Sequence, residues 1–210
     1  MGRCLIFCAA GFDGLLDAVQ EDDYILAADG GLVHVEALGL TANGILGDFD
    51  SLSYIPAGST VFPVEKDDTD AMLAVKKGLE LGYTNFLLYG GLDGPRLDHT
   101  IANFQTLLYL CDHGAGGYLI GKDYIVTCIR NESLHFPPSA SGIVSVFCLG
   151  ADARGVCLQG LQYPLVGGTL TAGFPLGVSN HFVGKDACIS VEDGSLLVLY
   201  DRKNGLPHRR

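Results

Sequence analysis

Two aspartates separated by one residue, Asp48 and Asp50, close the stretch Gly-Ile-Leu-Gly-Asp-Phe-Asp-Ser that runs from Gly44 to Ser51. In an extended or tightly turned backbone, residues i and i+2 project to the same side, so the two carboxylates can converge on one point. Converging carboxylates repel unless they share a cation. Hard divalent cations such as Mg2+ take oxygen ligands while keeping waters and phosphate oxygens in their shell. Further acidic groups stand at Asp67, Asp68 and Asp70 and at Asp29-Gly30-Gly31, each after a short apolar run. The pattern predicts a site that holds a metal ion and phosphate. Helix capping is the alternative use of Asp68 or Ser51, because Asp and Ser are favoured N-caps.

A fourth segment, from Gly90 to Asn103, reads Gly-Gly-Leu-Asp-Gly-Pro-Arg-Leu-Asp-His-Thr-Ile-Ala-Asn. Its glycines admit close approach of backbone to phosphate, a helix start would offer free N–H groups, and Arg96 can fork onto phosphate oxygens. The segment is expected to cradle a polyphosphate, with a local Arg96 to Asp98 ion pair as the competing use of that arginine. It contains neither a Gly-Lys-Ser/Thr phosphate loop nor the Gly-x-Gly-x-x-Gly dinucleotide fingerprint. His99 has no second histidine at zinc-ligand spacing, so zinc is not expected. Without a Gly-x-Ser-x-Gly elbow, serine hydrolase chemistry is disfavoured too.

These side chains need elements to position them. Strand-like runs at Cys4–Ala10, Tyr24–Ala28, Gly44–Leu46, Thr60–Phe62 and Asn85–Tyr89 alternate with helical patterns at Leu15–Gln20, Leu32–Leu38, about 70–81 and about 98–113. Such alternation predicts a mostly parallel sheet covered by helices, an α/β N-terminal domain. Ile101, Phe104, Leu108 and Cys111 should form the apolar stripe of the last helix, and Ala71, Val75 and Leu79 that of the one before. Beyond about residue 117 the texture becomes strand runs between turn residues, at Tyr124–Ile129, Ile143–Leu149, Cys188–Val191 and Leu196–Tyr200. That predicts an all-β sandwich C-terminal domain, with domains at 1–122 and 123–210. The Pro207-His208-Arg209-Arg210 ending reads as a frayed tail. In an open α/β sheet ligands bind outside the carboxyl ends of the strands, where all the acidic clusters fall.

Composition bounds the partners. With 48% hydrophobic and 18% charged residues, the chain reads as globular, and its apolar runs are too short to span a membrane. A net charge of -11 disfavours binding to a nucleic-acid backbone and suits a cationic small molecule. The seven cysteines form no Cys-x-x-Cys pair and lie in apolar runs, as expected for reduced thiols in the cytoplasm. No targeting segment is expected at the N-terminus.

Five motifs in order, Ala28-Asp29-Gly30-Gly31, Gly47-Asp48-Phe49-Asp50-Ser51, Lys66-Asp67-Asp68-Thr69-Asp70, Gly94-Pro95-Arg96-Leu97-Asp98-His99 and Gly177-Val178-Ser179-Asn180, resemble thiamine pyrophosphokinases of the bacterial type. The resemblance implies an α/β catalytic domain, a β-sandwich domain and a homodimer with thiamine at the subunit interface. It implies the reaction of ATP with thiamine to AMP and thiamine diphosphate, with Mg2+. By the same resemblance Asp48, Asp50 and Asp70 are the metal ligands and, with Arg96, the catalytic set. Asp29, Gly30, Lys66, Asp67, Arg96, Asp98, His99 and Asn103 would serve the nucleotide, and Tyr163, Ser179 and Asn180 would bind thiamine. This chain departs from the family in lacking tryptophan, in having Pro95 before the arginine, and in having His181 where glutamate is frequent; Tyr163 offers a ring for the cationic thiazolium instead. Transfer to another hydroxylated acceptor, or a non-catalytic thiamine or nucleotide sensor, are the competing functions.

Overall fold

The computed structural model describes residues 2–50, 52–63, 65 and 67–210, which fall into two compact units, Met1–Lys122 and Asp123–Arg210. In the first, β1 (Cys4–Phe7), β2 (Tyr24–Ala28), β3 (Gly44–Gly47), β4 (Thr60–Val61), β5 (Asn85–Tyr89) and β6 (Gly116–Ile120) form parallel pairs. Their order is β4-β3-β2-β1-β5-β6, so the direction of winding reverses between β1 and β5. Every residue of β1 is buried, and so are four of the five in β5, as a parallel sheet covered on both faces requires. Phe7 stacks on Tyr89 across this central pair, at 5.3 Å between ring centroids.

Three helices cover the sheet: α1 (Leu32–Ala37), α2 (Asp70–Glu80) and α3 (Leu97–Asp112). The Thr69 hydroxyl starts α2 by accepting a hydrogen bond from Met72 N–H at 3.2 Å, so Thr69 and not Asp68 is the cap. Helix α2 buries Ala71, Ala74, Val75 and Gly78, close to the expected stripe. Helix α3 is rotated from expectation: its buried residues are Asn103, Thr106, Leu107 and Leu110, while Ile101 is 52% exposed. Two polar residues reach that inner face because each finds a partner. Asn103 Nδ2 donates to the Gly91 carbonyl at 2.8 Å and Thr106 Oγ1 to the Ala102 carbonyl at 3.0 Å. An apolar count therefore points to the wrong side.

The expected helix at Leu15–Gln20 does not form. None of its residues is buried, so it has no apolar face to dock. Arg3 also competes for its groups, donating to both Asp17 carboxylate oxygens at 2.7 Å and to the Ala18 carbonyl at 3.2 Å, and to Asp23 as well.

The second unit is all β. Strands β7 (Tyr124–Arg130), β9 (Ile143–Cys148), β12 (Gly177–His181) and β14 (Ser195–Asp201) make one antiparallel sheet in the order β12-β9-β14-β7. Strands β8 (Ser133–Phe136), β10 (Ala153–Gln159), β11 (Leu165–Leu170), β13 (Ala187–Ser190) and β15 (His208–Arg209) make the other, ordered β11-β10-β13-β8-β15. Alternation in β8 and β13 turns Leu134, Phe136, Ala187 and Ile189 inward, and Phe136 of one sheet packs edge-on against Tyr200 of the other at 5.0 Å. The basic ending is part of this sheet and not a frayed tail. Ser133 and Arg210 exchange backbone hydrogen bonds at 2.8 and 3.0 Å, while Arg209 donates to Thr127 Oγ1, the Cys128 carbonyl and Glu132.

All seven cysteines are unbridged, and among the described residues no helix is long and apolar enough to cross a membrane. Because Arg209 ties β15 to β7 and to Glu132, Arg209→Ala should lower stability by about 1–2 kcal/mol in chemical denaturation, with the unfolding slope unchanged.

Candidate active site

The two aspartates of the Gly-Asp-Phe-Asp turn do converge, and the residue that joins them is Asp29. One carboxylate oxygen from each of Asp29, Asp48 and Asp50 lies within 4.8 Å of the others. Asp29 is buried, Asp48 half-buried and Asp50 exposed, so the cluster opens from the sheet toward solvent. Asp70, expected as the third member, lies outside this group, in the first turn of α2.

Local backbone makes the cluster. Asp29 and Phe49 adopt left-handed conformations, with φ of 49° and 60°. Such conformations cost about 1–3 kcal/mol each in a residue other than glycine and collect at functional sites. At Phe49 the buried ring holds the turn, which points both flanking carboxylates outward, and Asp50 N–H donates to Asp48 Oδ1 at 3.2 Å. Two glycines allow the close approach. A Cβ on Gly31 would stand 1.9 Å from the Phe7 carbonyl oxygen, and one on Gly47 would stand 3.0 Å from the Asp29 Cα.

Beside the carboxylates lies a cleft of about 290 Å³, lined by Cys8, Ala9 and Ala10 beyond β1, Asp29 beyond β2, Thr69 and Asp70 at the start of α2, Gly90 and Gly91 beyond β5, and Arg96, His99, Thr100 and Asn103 on α3. It sits at the carboxyl ends of β1 and β5, where the winding reverses and where open parallel sheets bind ligands. The N-terminus of α3 opens into it, which favours an anion. Arg96 forks onto Asp98, Nε to Oδ1 at 2.9 Å and Nη2 to Oδ2 at 2.6 Å, with about two thirds of each side chain exposed. The guanidinium hydrogen bond holds the Asp98 carboxyl down at about 2, so Asp98 is ionised at neutral pH. At this degree of exposure the pair is weak, and a phosphate can take the guanidinium over.

The remaining expected site residues divide. Gly30 is in the one-turn helix with Asp29, His99 is exposed on the cleft wall, and Asp67 is exposed in the loop before α2. Lys66 and Ser51 lie outside the described residues. Asn103 acts on the cleft through Gly91, whose carbonyl its amide binds. In the second unit, Asn180 is buried and grips the backbone of residue 163: its Oδ1 accepts from Tyr163 N–H at 2.9 Å and its Nδ2 donates to the Tyr163 carbonyl at 2.7 Å. Tyr163 itself is 61% exposed. Ser179 is exposed with φ of 58°, and its N–H donates to Ser145 Oγ at 3.0 Å. Cys8 to Ala10 were expected inside the first strand; because β1 ends at Phe7, they line the cleft instead.

Two family models match the chain: thiamin pyrophosphokinase, catalytic domain, over residues 15–116, and thiamin pyrophosphokinase, vitamin B1 binding domain, over residues 131–196. No curated protein sequence matches it. Among solved structures, thiamine pyrophosphokinase from Bacillus subtilis superposes with a TM-score of 0.85 at 22% identity, over 95% of this chain and 99% of that one. The thiamin pyrophosphokinase family protein from Enterococcus faecalis gives 0.78 at 22% identity, over 95% and 99%. Yeast thiamin pyrophosphokinase gives 0.72 at 15%, over 95% and 86%.

Burial, helped by the Asp70 carboxylate, pushes the Cys8 thiol up to about 12, so it stays protonated and unreactive far above neutral pH. Iodoacetamide at pH 8 should therefore leave Cys8 unmodified in the native protein and modify it in denaturant, as read by peptide mass mapping.

Proposed function

The chain belongs to the thiamin pyrophosphokinase family, and from that membership we propose how its own residues carry the pyrophosphoryl group of ATP to thiamine. In that reaction the thiamine hydroxyl oxygen bonds to the β-phosphorus of ATP, the bond from the α,β-bridging oxygen to that phosphorus breaks, and the hydroxyl proton is released. The products are thiamine diphosphate and AMP.

One observation carries the assignment of roles: three carboxylate oxygens within 4.8 Å, beside a cleft that ends at the N-terminus of a 16-residue helix. An all-oxygen, all-acidic donor set suits Mg2+, so Asp29, Asp48 and Asp50 would hold the ion. When bound, Mg2+ neutralises charge on the phosphate oxygens. The first N–H groups of α3 and the Arg96 guanidinium receive phosphate oxygens, with Asp98 releasing Arg96 to them. Asp70, which lines the same cleft, orients the attacking hydroxyl or accepts its proton. Asn103 keeps the Gly90-Gly91 turn open to the nucleotide, and His99, Gly30, Asp67 and Lys66 border it. Most of the rate comes from positioning and electrostatics, as is general for phosphoryl transfer.

On the β side, Tyr163 presents its ring to the cationic thiazolium, for about 0.5–2 kcal/mol according to desolvation. Ser179 is its polar neighbour, and Asn180 is a positioning residue for the Tyr163 loop. The protein works as a homodimer with thiamine at the subunit interface. In support, Val166, Phe174, Leu176 and Val178 are 80%, 65%, 54% and 41% exposed along β11, β12 and their connection. That much apolar side chain facing water is what an interface leaves on a lone protomer. The cytoplasm is its place of work, where unbridged thiols persist.

Purified protein given Mg2+, ATP and thiamine should yield AMP and thiamine diphosphate in equal amounts by chromatography. Asp48→Asn should lose at least about 100-fold in kcat; full turnover in that variant would overturn the metal assignment. Tyr163→Ala should raise the thiamine KM about threefold to thirtyfold and leave the ATP KM unchanged. The reverse pattern would reject its role.

A further inference from the structure

At the start of α2 the chain presents an excess of charge: Asp67, Asp68 and Asp70 crowd one loop and the helix start it leads into. Only Asp70 lines the cleft. Asp68 is turned away, and both of its carboxylate oxygens accept from Lys76 Nζ, at 2.8 and 2.7 Å. Lys76 stands nearly two turns along α2, and its ammonium is 6.0 Å from the centroid of the Tyr109 ring on α3. Its side chain is 39% exposed and that of Asp68 30%, so the contact is a partly shielded one between α2 and the loop that leads into it.

We propose that Lys76 is a positioning residue for pyrophosphoryl transfer: by holding Asp68 against α2 it decides which carboxylates of the Asp-Asp-Thr-Asp segment face the nucleotide. The inference rests on the function proposed above. Thr69, between the two carboxylates, is fixed as the cap of α2, so Asp68 and Asp70 leave the helix start in set directions. With the clamp in place, Asp70 enters the cleft and the charge of Asp68 is neutralised outside it. Without the clamp, Asp68 is an additional mobile carboxylate at the mouth of a site that must admit a polyanion. It then repels the phosphates and competes for their counter-ion.

A variant set separates this from a purely structural role. With thiamine saturating, Lys76→Met should raise the KM for Mg-ATP about twofold to fivefold, the range of a partly exposed ion pair, with kcat nearly unchanged. Lys76→Arg, which keeps the clamp, should restore the wild-type value. The decisive protein is the double variant Lys76→Met with Asp68→Asn, in which the KM should return close to wild type because the freed side chain no longer carries charge. An unchanged KM in Lys76→Met, or a rise that persists in the double variant, overturns the proposal. Thermal midpoints measured alongside show whether lost packing explains any persistent defect. Product formation by the wild-type protein tests the underlying function separately: without it that function falls, whereas with it and a silent Lys76→Met only the clamp does.

Discussion

Three carboxylates brought within reach of one ion repel one another, by an amount on the order of a few kcal/mol at protein-like dielectric. The fold must hold them there before any cation arrives. Backbone geometry does much of this. The left-handed turns at Asp29 and Phe49 aim the side chains, and the parallel pairing of β2 with β3 brings the two turns side by side, Ala28 opposite Leu46. Gly31 and Gly47 let the turns nest where any larger residue would strike Phe7 or Asp29. The strain is carried by a central sheet in which Leu5, Ile6, Leu87 and Leu88 are fully buried, a rigid base that cannot relax to relieve a local clash.

Around that anchor the other parts fall at one address. The strand order β4-β3-β2-β1-β5-β6 splits the chain's winding at β1 and β5, and the gap so formed receives the N-terminus of α3. Negative carboxylates on one side of the gap and a positive helix terminus with Arg96 on the other make a site that wants both a cation and an anion. In the function proposed above, a metal-bound polyphosphate would satisfy both at once, whereas the carboxylates alone would repel the phosphates and the helix terminus alone would repel the metal.

Much of this was legible in the chain. Apolar runs ending in Asp or Gly-Gly marked the carboxyl ends of strands, and the alternating pattern gave a parallel sheet, because these signals are local and depend on few residues. What stayed hidden depends on partners far along the chain. Arg3 takes the Ala18 carbonyl and Asp17, so a stretch with helical spacing stays irregular. Asn103 is inside because Gly91 receives its amide, so the buried face of α3 is not its most apolar one. Asp29 comes within 4.8 Å of Asp48 and Asp50 because β2 is the hydrogen-bonded neighbour of β3, while Asp70 lines the adjoining cleft from the start of α2. The ending at Arg209 looked like a solvated tail because its partners, Thr127, Cys128 and Glu132, are some eighty residues away in sequence.

The amide of Asn180 deserves a different reading from that of a substrate contact. It meets the N–H and the carbonyl of residue 163 in the way a neighbouring strand would, and its Oδ1 also accepts from the adjacent His181 N–H. The loop is thus held by a grip that is blind to the side chain it carries. Residue 163 becomes an exchangeable part: evolution or a protein engineer can swap the ring for another group and present it at the same point in space.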